Sequence, residues 1–346
     1  MLLDVLFAKR GRYKEGISQI HQVGLSCNSL PPNGYGGIES VVTNLSRELV
    51  RLGLPVVCYS PLPFGIHGAR HYPTLPEPVL GPKQGKRVAN SREHLERIVE
   101  GIDNNFRPGD IIHLHHAEQY PYLRDRVRQR WLAKPSFIET AHWLKVSMEK
   151  NIAYPSSALK RAIGRAGEVI PHGIDLSVFK PGKGSGDYLF YAGRVTRDKG
   201  IHVGVEAAAE YGIEFRIAGP LTDKAYASTF MDRVNYVGEL DEKALVYHYQ
   251  NALALVYLTE YTEPFGLSVV EAMACGTPVF TTGKGGTGET VIHGKTGYFC
   301  DSKSDVLKAL DRIGEIAPDD CIERAKVYSA ENMARGYVEF YGKVNA

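Results

Sequence analysis

Short, apolar, β-branched runs alternate with segments of helical period along most of this 346-residue chain. That alternation is the sequence form of an α/β fold built on parallel sheets. The first half carries such runs at Ile20–Leu25, Pro55–Ser60, Asp110–His116, Ser136–His142 and Gly167–His172. The second carries them at Tyr188–Gly193, Glu214–Gly219, Val234–Gly238, Leu253–Thr259 and Pro278–Thr282. The clearest helix falls between the first two runs. In Gly37–Gly53, Ile38, Val41, Val42, Leu45, Leu49 and Leu52 recur at three- and four-residue steps, which puts them on one face, and Gly53 supplies a left-handed stop. Further helices are expected at Gly200–Tyr211, Asp241–Gln250, Gly266–Cys275, Ser304–Ile313 and Ser329–Val344. Pro61–Gly85 reads as a long Pro- and Gly-rich loop, and Pro181–Gly186 (PGKGSG) as the linker between two α/β units.

A chain of this length exceeds what one hydrophobic core supports. The expectation is two Rossmann-like domains, residues 1–180 and 181–328, facing across a cleft that is the default ligand site. Residues 329–346 are expected to form a helix that packs back on the first domain. Hydrophobic residues make up 43% of the chain and charged residues 23%, which argues against disorder. No apolar run is long enough to span a membrane. Met1–Arg10 lacks a basic leader and a cleavage site and does not read as a signal peptide. Met1–Gly16 is expected to be an added helix or a flexible segment. Five scattered cysteines without C-x-x-C spacing fit reduced thiols in a cytoplasmic protein better than disulfides or a zinc site.

The net charge of +2 is unevenly spread. Met1–Asp175 holds 23 Lys and Arg against 16 Asp and Glu, or +7; the remainder holds 18 against 23, or −5. A basic first half points to an anionic partner there, such as a lipid-phosphate acceptor or the inner face of a membrane. A chance imbalance on solvated faces is the simpler reading. The same choice applies to the Arg-rich run Arg124–Arg130, where the solvated face of a helix is favoured over an acceptor contact.

The most informative stretch is Glu263–Pro278 (EPFGLSVVEAMACGTP). It follows a strand, turns through Pro264 and Gly266, and enters a helix with Leu267, Val270 and Ala274 on one face. N–H groups at such a helix start are unpaired and sit at the positive end of the dipole, where they suit a diphosphate. Glu263 before the helix and Glu271 in its second turn are placed to face one cleft, and a carboxylate can accept two bonds from vicinal ring hydroxyls. Two glutamates alone mean little, since helices carry many solvated ones. Arg194 and Lys199 stand between a strand and a helix. An Arg fork and a Lys point charge can neutralise a pyrophosphate; for a lone pair, solvated strand-end charges would be the favoured reading. Gly34, Gly36 and Gly37 form a strand–helix loop that lets a ligand approach the backbone. It is not a dinucleotide fingerprint, because Glu39 stands where the third glycine would be. His113 and His115 share a strand face while His116 points away, and no acidic or Cys partners accompany them, so a metal site is not expected.

Taken together, these stretches resemble glycosyltransferase family 4, the retaining group 1 enzymes of the two-domain GT-B fold, whose mark is a Glu, seven residues, then a second Glu. The resemblance runs through Asn33–Leu45, Val169–Phe179, Tyr191–Gly200, Glu263–Pro278 and Glu289–Gly297, nearly the whole chain. It implies transfer of a hexosyl group, with retention, from a nucleoside-diphosphate sugar, UDP-sugar being the expectation, to an acceptor hydroxyl. The first domain then chooses the acceptor, through loops such as Pro61–Gly85 and Ala117–Trp131, and the second binds the donor. Donor contacts are implied for Gly36, Gly37, Arg194, Lys199, Tyr236, Val237, Glu263, Pro264, Phe265, Gly266, Leu267 and Glu271. Direct parts in transfer fall to Arg194 and Lys199 on the leaving diphosphate, Glu263 on the sugar, and His142 against the transferred sugar. Glu271 would hold the ribose, and Glu289 would support the site with a donor contact as a further option. The strand ends Ala218–Pro220 and Tyr236–Gly238 would hold the nucleobase. His172 stands where the family commonly has Asn and reads as hinge-region structure.

No cofactor, no metal and no nucleic-acid partner is expected; the acceptor is a sugar, a glycolipid or a small molecule. Epimerases and phosphorylases share this fold, and degenerate copies serve as partner subunits, so fold alone does not decide. The Glu-x7-Glu string and the setting of Lys199 favour a transferase. Retention of Arg194, Lys199, Glu263 and Glu271 weighs against a non-catalytic subunit.

Overall fold

The computed structural model describes residues 16–79, 91–127, 135–182 and 186–345. Most of Met1–Gly16 and parts of Pro61–Gly85, Ala117–Trp131, Arg124–Arg130 and Pro181–Gly186 therefore lie outside the described residues. The chain divides into two compact units.

In the first unit, β1 (Ile20–Val23), β2 (Val56–Ser60), β3 (Arg70–Pro73), β4 (Ile111–Leu114), β5 (Ser136–Thr140), β6 (Ile152–Tyr154) and β7 (Gly167–Val169) form a parallel sheet in the order β3-β2-β1-β4-β5-β6-β7. Ile20 stands opposite Val56 on one side and Ile111 on the other. These central strands are buried on both faces, as parallel strands covered by helices are. The order reverses between β1 and β4, so the carboxyl ends of those two strands flank a crevice. The helix Gly37–Arg51 follows β1 and buries Val41, Val42, Leu45 and Leu49. The last helix, Ala330–Asn345, also belongs to this unit, with Tyr337 and Tyr341 fully buried.

Three departures from the sequence expectation are plain. Pro61–Gly85 is not all loop: Arg70–Pro73 pairs with β2 as an edge strand, which its Arg, His and terminal Pro hide from an apolar-run search. Ala117–Trp131 is not a loop throughout but contains the helix Gln119–Val127. The division between units falls after Gly173, not after residue 180, because the following segment bonds within the second unit. Ile174 N–H donates to Tyr328 O at 3.0 Å, and Gly182 N–H to Cys275 O at 3.0 Å. Ser156–Leu159 also counts with the second unit.

The second unit holds β8 (Tyr188–Ala192), β9 (Glu214–Ala218), β10 (Asn235–Gly238), β11 (Ala254–Tyr257), β12 (Val279–Thr281) and β13 (Gly297–Phe299). They form a parallel sheet in the order β10-β9-β8-β11-β12-β13. Its core packs Phe190, Phe215, Tyr249, Met273 and Phe280, each at most 2% exposed. Here the reversal lies between β8 and β11. Whatever follows the carboxyl ends of those two strands occupies the usual ligand crevice of an open α/β sheet. Among the described residues, no helix is long and apolar enough to cross a membrane.

Candidate functional site

Past the end of β8 the chain runs through Gly193 and Arg194 and tightens into a single 3-10 turn, Arg197–Lys199, before the helix Ile201–Tyr211. Gly200 joins turn to helix with φ 64°, and a Cβ there would stand 2.0 Å from the Leu258 carbonyl oxygen. Only glycine permits that approach. It presses Lys199 against the carboxyl end of β11, where the ammonium enters a buried cluster.

Lys199 Nζ donates to the Tyr257 hydroxyl at 2.9 Å, to the Tyr261 hydroxyl at 2.5 Å and to Glu263 Oε2 at 2.9 Å. Both hydroxyls donate in turn to the same Oε2, Tyr257 at 2.9 Å and Tyr261 at 2.8 Å. Lys199 is 5% exposed and Glu263 8%. Taking such a pair out of water is costly, and it is tolerable here because each charge is matched by further hydrogen bonds. Burial, reinforced by the Glu263 carboxylate, pushes the Tyr261 phenol well up, so it stays protonated and donates. Arg194, half-buried, lies near enough for its charge to act on that phenol, and its own carbonyl accepts from the Tyr191 hydroxyl at 2.7 Å.

Glu263 is held from behind by the glycine-rich loop after β12. Gly286 N–H donates to Glu263 O at 2.7 Å, and a Cβ on Gly285 would meet Glu263 backbone atoms at 2.3–2.5 Å. Pro264, Phe265 and Gly266 (φ 89°) then turn the chain into the helix Leu267–Ala274. Ser268 Oγ donates to Ala192 O at 3.0 Å, which fastens the first turn of that helix to the end of β8. The helix start, Arg194, Lys199 and Glu263 therefore all stand at the β8–β11 reversal. Phe265 is buried against Tyr328, and Pro264 O accepts from Ser156 Oγ at 2.7 Å.

Glu271, one helical turn further, accepts from the Tyr249 hydroxyl at 2.9 Å. Burial pushes its carboxyl up to about 7, opposed by that hydrogen bond. The Tyr249 phenol is driven up by its own burial and by Glu271, and it too stays protonated. Ala218–Pro220 and Tyr236–Gly238 adjoin at the ends of β9 and β10. The Tyr236 hydroxyl donates to Gly219 O at 2.9 Å, and Tyr236 and Val237 are half-buried. Glu289 is engaged as a cap: its carboxylate accepts Ser157 N–H at 3.0 Å and Ala158 N–H at 2.6 Å.

In the first unit, Gly36 and Gly37 open the helix after β1. His142, just past β5, is 8% exposed, its Nε2 lies 3.2 Å from His115 Nδ1, and its ring stacks on His172 at 5.0 Å. His115 also meets Gln22 Oε1 at 2.7 Å, while His113 bonds Tyr341 at 2.8 Å and Thr140 at 2.7 Å. Burial pushes His113 and His172 down to about 3, and His115 and His142 well below the usual range, so all four rings are neutral near pH 7. Among the described residues, no group of His, Cys, Asp or Glu is arranged to hold a metal ion. Sequence reasoning passed over Tyr249, Tyr257 and Tyr261. For Tyr257 and Tyr261 the available signal was a polar-tipped aromatic at or just past the end of a strand, whereas Tyr249 lies in the helix Glu242–Gln250.

The family model for glycosyl transferases group 1 matches residues 175–332. The match covers most of the second unit. The glycogen synthase of Mycobacterium tuberculosis is 36% identical over 148 residues, which are 38% of this chain. The chain spans only about a third, 35%, of that relative's length. The D-inositol 3-phosphate glycosyltransferase of Corynebacterium urealyticum is 27% identical over 88% of this chain and 90% of its own. Among solved structures, the Anabaena protein HepE in complex with UDP and glucose superposes with a TM-score of 0.70 at 13% identity, covering 93% of this chain and 98% of its own. That last likeness is one of fold: a pair of parallel-sheet α/β units of the GT-B type shared by group 1 glycosyl transferases.

Proposed function

We propose that this chain transfers a hexosyl group from a nucleoside-diphosphate sugar to an acceptor hydroxyl with retention of anomeric configuration. The observation that carries the reading is convergence. Two cations, a buried carboxylate and a helix start meet at the one reversal of the second sheet, the place where an open α/β sheet binds ligands. Arg194, Lys199 and the N–H groups from Gly266 and Leu267 onward face the diphosphate. Glu263, flanked by Pro264 and Phe265, holds the sugar. Glu271 accepts from the ribose hydroxyls, and Tyr236 and Val237 border the base. UDP is the carrier in this reading. In the first unit, His142, neutral and backed by His115, is suited to a hydrogen bond with a sugar hydroxyl, and the backbone at Gly36 and Gly37 to a ligand contact.

The chemistry balances without a further reactant. The bond from the anomeric carbon to the diphosphate oxygen breaks, and its electron pair leaves with the diphosphate. The acceptor oxygen bonds the same carbon on the same face, and its proton passes to the departing phosphate. Preorganised cations at that oxygen are worth roughly two to three orders of magnitude in rate, and they take the place of a divalent metal. The five buried free thiols support a cytoplasmic setting, and the basic first half supports contact with an anionic acceptor or membrane face. The test is to replace Lys199 or Arg194 by Ala and measure sugar transfer. A loss of about 100-fold or more is expected; near-normal turnover in either variant counts against the reading. Labelled donor incubated without acceptor separates the rival chemistry, since an epimerised donor would identify an epimerase.

A further inference from the structure

The hydrogen bonds around Lys199 use every donor the side chain has. An ammonium carries three N–H groups, and all three are spent, on Tyr257, Tyr261 and Glu263 Oε2. Each tyrosine oxygen accepts one of them and gives its single proton to Oε2. That oxygen thus receives three donors, while among the described residues no hydrogen bond reaches Oε1. Neither tyrosine is assigned a part by the donor reading. Yet both lie between its cation and its carboxylate.

Resting on that donor reading, we propose that Tyr257 and Tyr261 are positioning residues that compete with the donor diphosphate for Lys199. In the empty protein they keep the ammonium saturated on Glu263. A phosphate oxygen gains a Lys199 N–H only when one of the three bonds is surrendered. The competition loosens the grip on the product, a nucleoside diphosphate that carries one more negative charge than the sugar donor and would otherwise hold fast to Arg194 and Lys199. Glu263 keeps Oε1 for a sugar hydroxyl throughout, so sugar recognition and charge transfer use different oxygens of one carboxylate.

The sign of the effect makes it testable. Tyr261→Phe removes one acceptor from Lys199 and leaves an N–H to be satisfied by phosphate. Calorimetric titration with UDP should show roughly three- to tenfold tighter binding than wild type, with kcat and the donor KM both lowered as release slows. Tyr257→Phe should shift affinity the same way. A merely structural role would weaken UDP binding together with thermal stability, and that outcome, or unchanged affinity in both variants, overturns the proposal. Lys199→Ala in the same titration separates the two levels. Wild-type protein that binds none of UDP, GDP or ADP removes the donor reading, and this proposal with it. Wild type that binds, with Lys199→Ala weaker and neither Phe variant tighter, removes the tyrosine proposal alone.

Discussion

Replacing Glu271 by glutamine separates what its burial does to stability from what its charge does for a ligand. In the folded chain its carboxyl is pushed from 4.5 to about 7 by burial, offset in part by the Tyr249 hydrogen bond. The unfolded chain therefore loses this proton first as pH rises, and the folded state binds more protons between the two values. The contribution of Glu271 to stability must fall with rising pH over that window and level off above it. The interval from 4.5 to about 7 corresponds to a penalty of about 1 kcal/mol at pH 5 and about 3 kcal/mol at pH 8. Glu271 keeps part of its surface, which makes these figures upper bounds. Glutamine retains an oxygen for the Tyr249 hydroxyl and has nothing to ionise. Urea unfolding at half-unit steps from pH 5 to 8 should show Glu271→Gln gaining on wild type by up to about 2 kcal/mol across the range. Nucleotide affinity should move the other way, with the wild-type advantage growing as pH rises through 7 and the carboxylate forms. A stability difference that stays flat from pH 5 to 8 would refute the argument, because it would mean the carboxyl titrates alike in both states.

Two further outcomes follow from groups outside the charged cluster. Glu289→Ala strands the Ser157 and Ala158 N–H groups, which should cost about 1–3 kcal/mol in chemical unfolding, with Glu289→Gln recovering part of it. The buried rings of His94, His113, His115, His142 and His172 are held below their ordinary value, so the unfolded chain takes up protons first as pH falls below 6.5. Stability is then expected to decline steadily from pH 7 to pH 5, with net proton uptake on unfolding measured by titration. No pH dependence over that interval would contradict the buried, neutral assignment.

Both sheets were legible because their central strands are buried on two faces and largely apolar, and because most of their helices keep period. Most of what escaped was too short or too polar for either pattern, though the 14-residue helix Arg92–Asn105, which buries Leu95, Ile98, Val99 and Ile102, keeps the helical period and was passed over. β6 and β13 have three residues each, and β3 reads RHYP. The helix Pro318–Lys326 buries little more than Cys321 and Ala325 and leaves no apolar stripe to find. The strand-alternation argument put His113 and His115 on one face, and both are buried. It had no means of finding Tyr337 and Tyr341 beside His113, since those contacts join residues more than 200 positions apart. The same limit applies at the candidate site. Arg194, Lys199, Glu263 and Glu271 were picked from motif and charge, but the closure of Lys199 onto Glu263 is a tertiary contact across 64 residues. Local spacing carries no trace of it, nor of the two tyrosines that complete it.

The most direct measurement is a crystal structure of the chain soaked with UDP. The β-phosphate should lie within hydrogen-bond distance of Lys199 Nζ and of the N–H groups that open the helix Leu267–Ala274, with at least one bond of Lys199 to Tyr257, Tyr261 or Glu263 given up. A diphosphate bound elsewhere, or excluded while Lys199 keeps all three of its present partners, would contradict the account.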